Sequence, residues 1–171
     1  MTKHKVPALS QHIHIQDPEW KEKSCGIVSL TMLFNYFGKE ISADQLLKDG
    51  ITNNAYLKAV GWKHKELAEL GKQYGLNGEN LDWTALDAQS AYQKATGYLN
   101  QYPIMASVYN NFEPGNSGHL IVITGATTDK IFYNDPDAKN INNISKEISL
   151  KKFLNGWKKR IIIINKKRNA V

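Results

Sequence analysis

The 171-residue sequence has a single cysteine, Cys25. One thiol makes no internal disulfide, so the fold must stand on its core alone. The sequence also lacks any apolar run near the roughly 18 to 20 residues that a membrane-spanning helix requires. Its longest strongly apolar stretch is Ile161 to Ile164. The N-terminal MTKHKVPALSQ has no apolar segment of the signal-peptide kind, so a cytoplasmic location is expected. No internal repeat, low-complexity tract or linker is evident. One domain over residues 1–171 is expected from the length.

What is present suits a globular protein. Hydrophobic residues make up 42% and charged residues 22%, enough apolar side chain to bury a core and too little charge for disorder. The net charge is +6, and much of the excess lies in KKFLNGWKKR and in a basic tail at about residues 166–171. These lysines are not interleaved with aromatics at a spacing that suits base stacking. The tail therefore reads as a solvated end that aids solubility, and no nucleic-acid partner is expected.

Residues 1–15 read as an arm, in which HIHI alternates as a strand would. A first helix is expected over about 25–37, with Leu30, Leu33, Phe34 and Phe37 at i, i+3, i+4 and i+7. Ser24 suits its N-cap and Gly38 the position just past its end. Further helices are expected from Ala43 to Lys48, from about Lys65 to Tyr74 and from about Ala88 to Asn100. The second half changes character. Residues 103–109, 119–126, 130–134 and 160–165 are rich in Ile, Val and Tyr and read as strands, with a short helix at about Leu150–Gly156. Helices first and strands second indicate an α+β fold, with helices on one side of an antiparallel sheet.

Cys25 would sit at the first position of its helix, where the helix dipole favours a thiolate. A nucleophilic thiol needs a base. His4 lies in a charged end and His64 in a polar, exposed helix approach. His12 and His14, two apart on an expected strand, could share a metal, but no third ligand is near in sequence, so no metal is expected. His119 stands at the mouth of the apolar strand GHLIVITG. A turn at residue 127 or 128 would return the chain so that Asp135 or Asp137 meets His119 across the hairpin. Either carboxylate could orient the imidazole. Gln16, nine residues before Cys25, could fold back beside the Cys25 N–H as a second oxyanion donor. Trp20 is a candidate wall of a substrate groove, and NNFEPGNSG at 110–118 a candidate flap over it.

The pattern QDPEW, then SCGIVSLTMLFNYFG, then GHLIVITG, then NDP resembles the C39-like peptidases. These are papain-like cysteine peptidases whose best-known members trim leader peptides inside bacteriocin-exporting transporters. The resemblance runs from about Val6 to Ile164. It implies a papain-like fold, with an N-terminal helical part carrying the cysteine packed on a C-terminal antiparallel sheet carrying the histidine and aspartate. It assigns Cys25 as nucleophile, His119 as base, Asp135 rather than Asp137 as orienter and Gln16 as oxyanion donor. Ile27 and Val28 stand where family members often carry Pro or Ala, and transporter peptidases hold the glutamine closer to the cysteine. Cleavage after a double glycine is therefore not carried over.

The expected activity is cleavage of a peptide bond through an acyl-enzyme, on a peptide or protein substrate, with no metal or organic cofactor. Two other readings use the same residues: an amidase, deamidase or acyltransferase with the same triad, and a non-catalytic module that holds a peptide.

Overall fold

A computed structural model describes residues 2–167; the last four residues of the expected basic tail lie outside the described residues. The helices are α1 (Gln11–His14), α2 (Cys25–Tyr36), α3 (Ala43–Thr52), α4 (His64–Glu69), α5 (Ala88–Leu99) and α6 (Leu150–Gly156). The strands are β1 (Thr2–Lys3), β2 (Tyr56–Leu57), β3 (Gly61–Trp62), β4 (Leu76–Asp82), β5 (Ile104–Tyr109), β6 (Gly118–Ala126), β7 (Lys130–Asn134), β8 (Ser145–Ser149) and β9 (Trp157–Lys166). Seven strands form one antiparallel sheet in the order β4-β9-β5-β6-β7-β8, with β1 beside β6; β2 and β3 make a separate hairpin.

The α+β class and the Cys helix packed on a later sheet are both present, but helices cover both faces of that sheet. Met105, Leu120, Val122, Ile162 and Ile164 face one apolar cluster with α2, α3 and α4. Ala106, Ile121, Ile123, Ile161 and Ile163 face a second cluster with α5 and α6. The run Ile161–Ile164 records this directly, because an uninterrupted apolar strand has no face to give to water.

Helix α2 is buried on every side from Gly26 to Phe34, so the amphipathic stripe understates its burial. Each large aliphatic or aromatic side chain so buried contributes about 1.5–3 kcal/mol. The stretch HIHI is not a strand. Ser10 accepts a bond from the His12 N–H and caps α1, and that local capping outweighs an alternation only four residues long. The expected helix ending at Tyr74 changes to a 3₁₀ turn at Leu70 and stops at Gly75, whose φ of +70° suits glycine. Two strands have no apolar signature, β4 (LNGENLD) and β8 (SKEIS). Both are edge strands whose side chains are largely exposed, held by backbone pairing to β9 and β7.

Candidate active site

The tip of α2 is fastened from three directions. The Ser24 hydroxyl does not cap the helix as expected; it donates to the Trp20 carbonyl at 2.7 Å. The Trp62 indole donates to the Lys23 carbonyl, also at 2.7 Å. One turn below Cys25, the Ser29 hydroxyl donates to the Leu120 carbonyl at 3.1 Å, tying α2 to the residue after His119. The first backbone bond of the helix runs from the Val28 N–H to the Ser24 carbonyl. The N–H groups of Cys25, Gly26 and Ile27 therefore have no backbone acceptor among the described residues.

Gly26 permits this tip to form. A Cβ on it would lie 2.9 Å from Trp62 Cγ and 3.0 Å from Trp62 Cβ. Trp62 is nearly buried and also fills the space over Gly50, so it has nowhere to retreat. Gly26→Ala is expected to cost about 1–3 kcal/mol. A fall of several degrees in Tm, with slower alkylation of Cys25, checks this by thermal unfolding and thiol labelling.

His119 opens β6 opposite Val108 of β5. Its Nε2 lies 2.8 Å from Asp135 Oδ1, and Cys25 lines the same cleft, near enough to act on the charge of the ring. With Nε2 engaged, Nδ1 is the nitrogen left for the sulfur. The β6–β7 register pairs Val122 with Asn134, which extrapolates to His119 opposite residue 137. The chain leaves the strand at Asn134, however, and Asp135 turns to reach the imidazole. Asp137 lies to the side, where its N–H donates to Asp135 Oδ1 at 3.0 Å.

Burial by itself pushes the His119 imidazole down, but Asp135 and the Cys25 sulfur outweigh it and raise the pKa to about 10. Burial pushes the Asp135 carboxyl up, and His119 together with Lys146 overrides that and holds it well below the usual carboxylate range. Lys146 Nζ is 2.7 Å from Asp135 Oδ2. No sequence pattern pointed to this lysine, because it comes from the polar edge strand β8.

The two shifts fix the sign of a pH effect. The Asp135 contribution is present above its ordinary value near 4 and is lost as pH falls toward its lower folded value. The His119 contribution is complete below its ordinary value near 6.5 and is lost as pH rises toward about 10. Asp135→Asn is thus expected to be less stable than the wild type by about 2 kcal/mol between roughly pH 4 and 6.5. The difference should shrink in both directions outside that window, as read by urea unfolding across pH.

The other expected residues fall differently. Gln16 is exposed; its side-chain amide donates to the Ile13 carbonyl and its backbone N–H to Asp44. It does not line the cleft that Cys25 and His119 share. A different glutamine, Gln11, is almost completely buried; its amide donates to Asp137 Oδ1 at 3.0 Å and its Oε1 has no partner among the described residues. Trp20 also stands outside the cleft wall, stacked edge-on behind Tyr56 with ring centroids 4.9 Å apart; Tyr56 and Trp62 are the aromatics that line it. His64, expected to be exposed, is half-buried at the start of α4 and lines the cleft. Burial and then Arg160 and Lys158 lower its pKa. The stretch 110–118 is the β5–β6 connection; Ser117 and Gly118 line the cleft while Phe112 anchors in the core.

His12 and His14 do not converge. His14 Nδ1 turns to Ser10, whereas His12 meets Asp137 at 2.7 Å and Glu22 at 3.5 Å. The donor atoms of His12, Glu22 and Asp137 lie within 4.8 Å of one another, near enough to share a cation, with both carboxylates exposed.

The cleft has a volume of about 620 Å³, in the range of a ligand site. One wall is the α2 tip with the β2–β3 hairpin; the other is the ends of β5, β6 and β9. Cys25 and His119 line it, Asp135 stands behind His119, and the first N–H groups of α2 have no backbone acceptor among the described residues. Such a set can form a nucleophile, shuttle a proton and hold an oxyanion.

The profile of the Peptidase_C39 like family matches residues 3–161. Among solved structures, the chain is similar to a double glycine motif protease from an AMS/PCAT transporter, crystallised in complex with the leader peptide. That likeness has a TM-score of 0.68 and 17% identity, over 97% of this chain and 95% of that one. It is similar to a C39-like peptidase from Bacillus anthracis, with a TM-score of 0.70 and 16% identity, over 98% and 97% of the two chains. It is also similar to the peptidase domain of Streptococcus ComA, with a TM-score of 0.62 and 16% identity, over 85% and 93%. At such identities the likeness to these structures is one of fold. No curated protein sequence matches the chain.

Proposed function

The chain belongs to the Peptidase_C39 like family, and on that premise we propose that it is a cysteine peptidase whose triad is Cys25, His119 and Asp135. The observation that carries this reading is that Cys25, at the N-terminal tip of α2, and His119 line one cleft, with Asp135 bonded to His119 from behind.

The chemistry follows from the geometry. The His119 imidazole beside the sulfur can take the thiol proton, and the N-terminal end of α2 faces the charge that develops. Cys25 Sγ attacks the carbonyl carbon of the scissile amide, and the developing oxyanion faces the Cys25 N–H. His119 gives its proton to the leaving nitrogen, the C–N bond breaks and a thioester remains. His119, now neutral, takes a proton from water, whose oxygen attacks the thioester and releases the acid and the thiolate. Asp135 holds the ring in place and stabilises its charge, while Lys146 keeps Asp135 ionised. Gln16 would have to leave the Ile13 carbonyl to reach the oxyanion, so the backbone N–H is the donor we favour.

Iodoacetamide labelling across pH tests the assignment. The wild type is expected to be alkylated quickly at about pH 6.5, and His119→Ala to lose that reactivity until the thiol ionises unaided, near about pH 8.5. A wild-type cysteine that stays inert up to that pH would refute the proposal. The same thioester can pass to an amine instead of water, so product partition with added amine separates hydrolysis from acyl transfer.

A further inference from the structure

We propose that the cleft is built for an acidic peptide segment, with Lys158 as the residue that receives a substrate carboxylate beside the scissile bond. The inference rests on the reading of this cleft as the active site and names its substrate class.

Charge is the first observation. Lys23, Lys58, Lys63, Lys158 and Arg160 line the cleft, against Glu22 as the lining acid. Part of this charge is answered. Lys63 pairs with Glu66 at 3.0 Å, Arg160 with Asp82 at 3.0 Å and Lys23 with Glu19 at 3.4 Å. Among the described residues neither Lys58 nor Lys158 has a carboxylate within ion-pair distance. A cleft lined by one sign of charge concentrates ligands of the other sign.

The backbone around Lys158 is the second observation, and it is independent of the charge count. Strand β9 pairs Arg160 with Ser107, but its next partner, Val108, meets Trp157. Lys158 and Lys159 are therefore extra residues, bulged out of the ladder. Lys159 sits at φ +56°, a left-handed conformation uncommon for a residue with a side chain. Its Nζ is tied to the carbonyls of Thr84 and Leu86 at 3.0 and 2.6 Å. Bulges near active sites re-aim side chains, and here the bulge turns Lys158 into the cleft.

Position is the third. Lys158 Nζ would lie 2.9 Å from a Cβ on Gly118, the residue before His119, and it rests over the Tyr109 ring at 4.7 Å. Burial and then Arg160 lower the Lys158 pKa. A carboxylate side chain on a residue flanking the scissile amide would supply the counter-charge that Lys158 lacks. Lys159 anchors the bulge to the carbonyls of Thr84 and Leu86, whereas Lys158, half-buried beside the Tyr109 ring and Gly118, has no carboxylate partner among the described residues.

The test measures binding apart from chemistry. Cys25→Ala is titrated with short fluorescent peptides carrying one Glu at successive positions, and with matched peptides carrying Gln or Lys. The Glu series is expected to bind about five- to tenfold more tightly than the Lys series, with the preference falling at high salt. Lys158→Met, checked for an unchanged melting curve, is expected to erase most of that preference and leave the Gln peptides unaffected. Lys58→Met serves as a second variant and should reduce the preference more weakly. Equal binding of the Glu and Lys series, or a preference untouched by Lys158→Met, overturns the inference. Tighter binding of a single-stranded oligonucleotide than of the Glu peptides also overturns it. The two readings fail separately. Fast alkylation of Cys25 without acidic preference sinks only this inference. Acidic preference on a protein whose Cys25 is inert sinks only the peptidase reading.

Discussion

Replacing His119 with alanine is expected to lower peptide turnover by about 10³-fold or more, nearly as far as Cys25→Ala does. The size follows from where the ring stands. His119 is bonded to Asp135 through Nε2 and shares the cleft with Cys25, so alanine removes its link to both at once. On the proposed mechanism the thiol loses the base that takes its proton, and the leaving nitrogen loses its proton donor. Because the two residues act as a unit, the double variant Cys25→Ala/His119→Ala should lose little beyond either single one. Asp135→Ala should fall between, since the ring remains but its orientation and charge are no longer supported. Gln16→Ala should stay within about threefold of wild type, because its amide is held by Ile13 rather than by the cleft. Values of kcat/KM on one fluorogenic peptide, with circular dichroism to confirm folding, decide the series. A His119→Ala variant within tenfold of wild type would remove the histidine from the mechanism.

Gly78→Ala is expected to lower Tm by about 10 °C. A Cβ there would lie 1.9 Å from the Ala68 carbonyl oxygen, 2.7 Å from its carbon and 3.0 Å from its Cα. These are backbone atoms of α4, so no side-chain rotation relieves the overlap. Either α4 lifts from the sheet, or β4 abandons its pairing with β9, in which Gly78 faces Ile164. The first outcome also moves His64, which begins α4 and lines the cleft. Cys25 labelling should therefore slow together with the loss of stability. Gly97→Ala is the control: its Cβ meets nothing within 4 Å, and alanine in place of a helical glycine is worth about 0.5–1 kcal/mol. That variant should melt at or above the wild-type temperature.

Much of the fold was legible in the residues. Helix α6 has the expected bounds, and α2 and α5 end within a residue of theirs. These elements carry signals that act over a few residues: a capping serine or aspartate, a stopping glycine, an apolar period. The central strands were legible because both of their faces are buried. Strands β4 and β8 were not, because an edge strand owes its place to backbone bonds with a neighbour far away in sequence. HIHI misled for a related reason, since four alternating residues cannot outweigh a well-placed cap.

The site divides along the same line. Local pattern alone determined that a lone thiol opens a buried helix, that a histidine opens a buried strand, and that an acidic return strand follows it. Those are statements about neighbours in sequence, and short-range sterics and hydrogen bonding suffice for them. Distant contacts decided the rest. Asp135 reaches His119 because the chain turns at Asn134. Lys146 meets Asp135 because β8 pairs with β7, and Lys158 enters the cleft because β9 bulges against β5. Gln16, so close to Cys25 in sequence, ends outside the cleft, while His64 and Lys158, remote in sequence, help form its walls. Proximity along the chain is a local property. A charged cleft is a sum over strands and loops that meet only when the sheet has assembled.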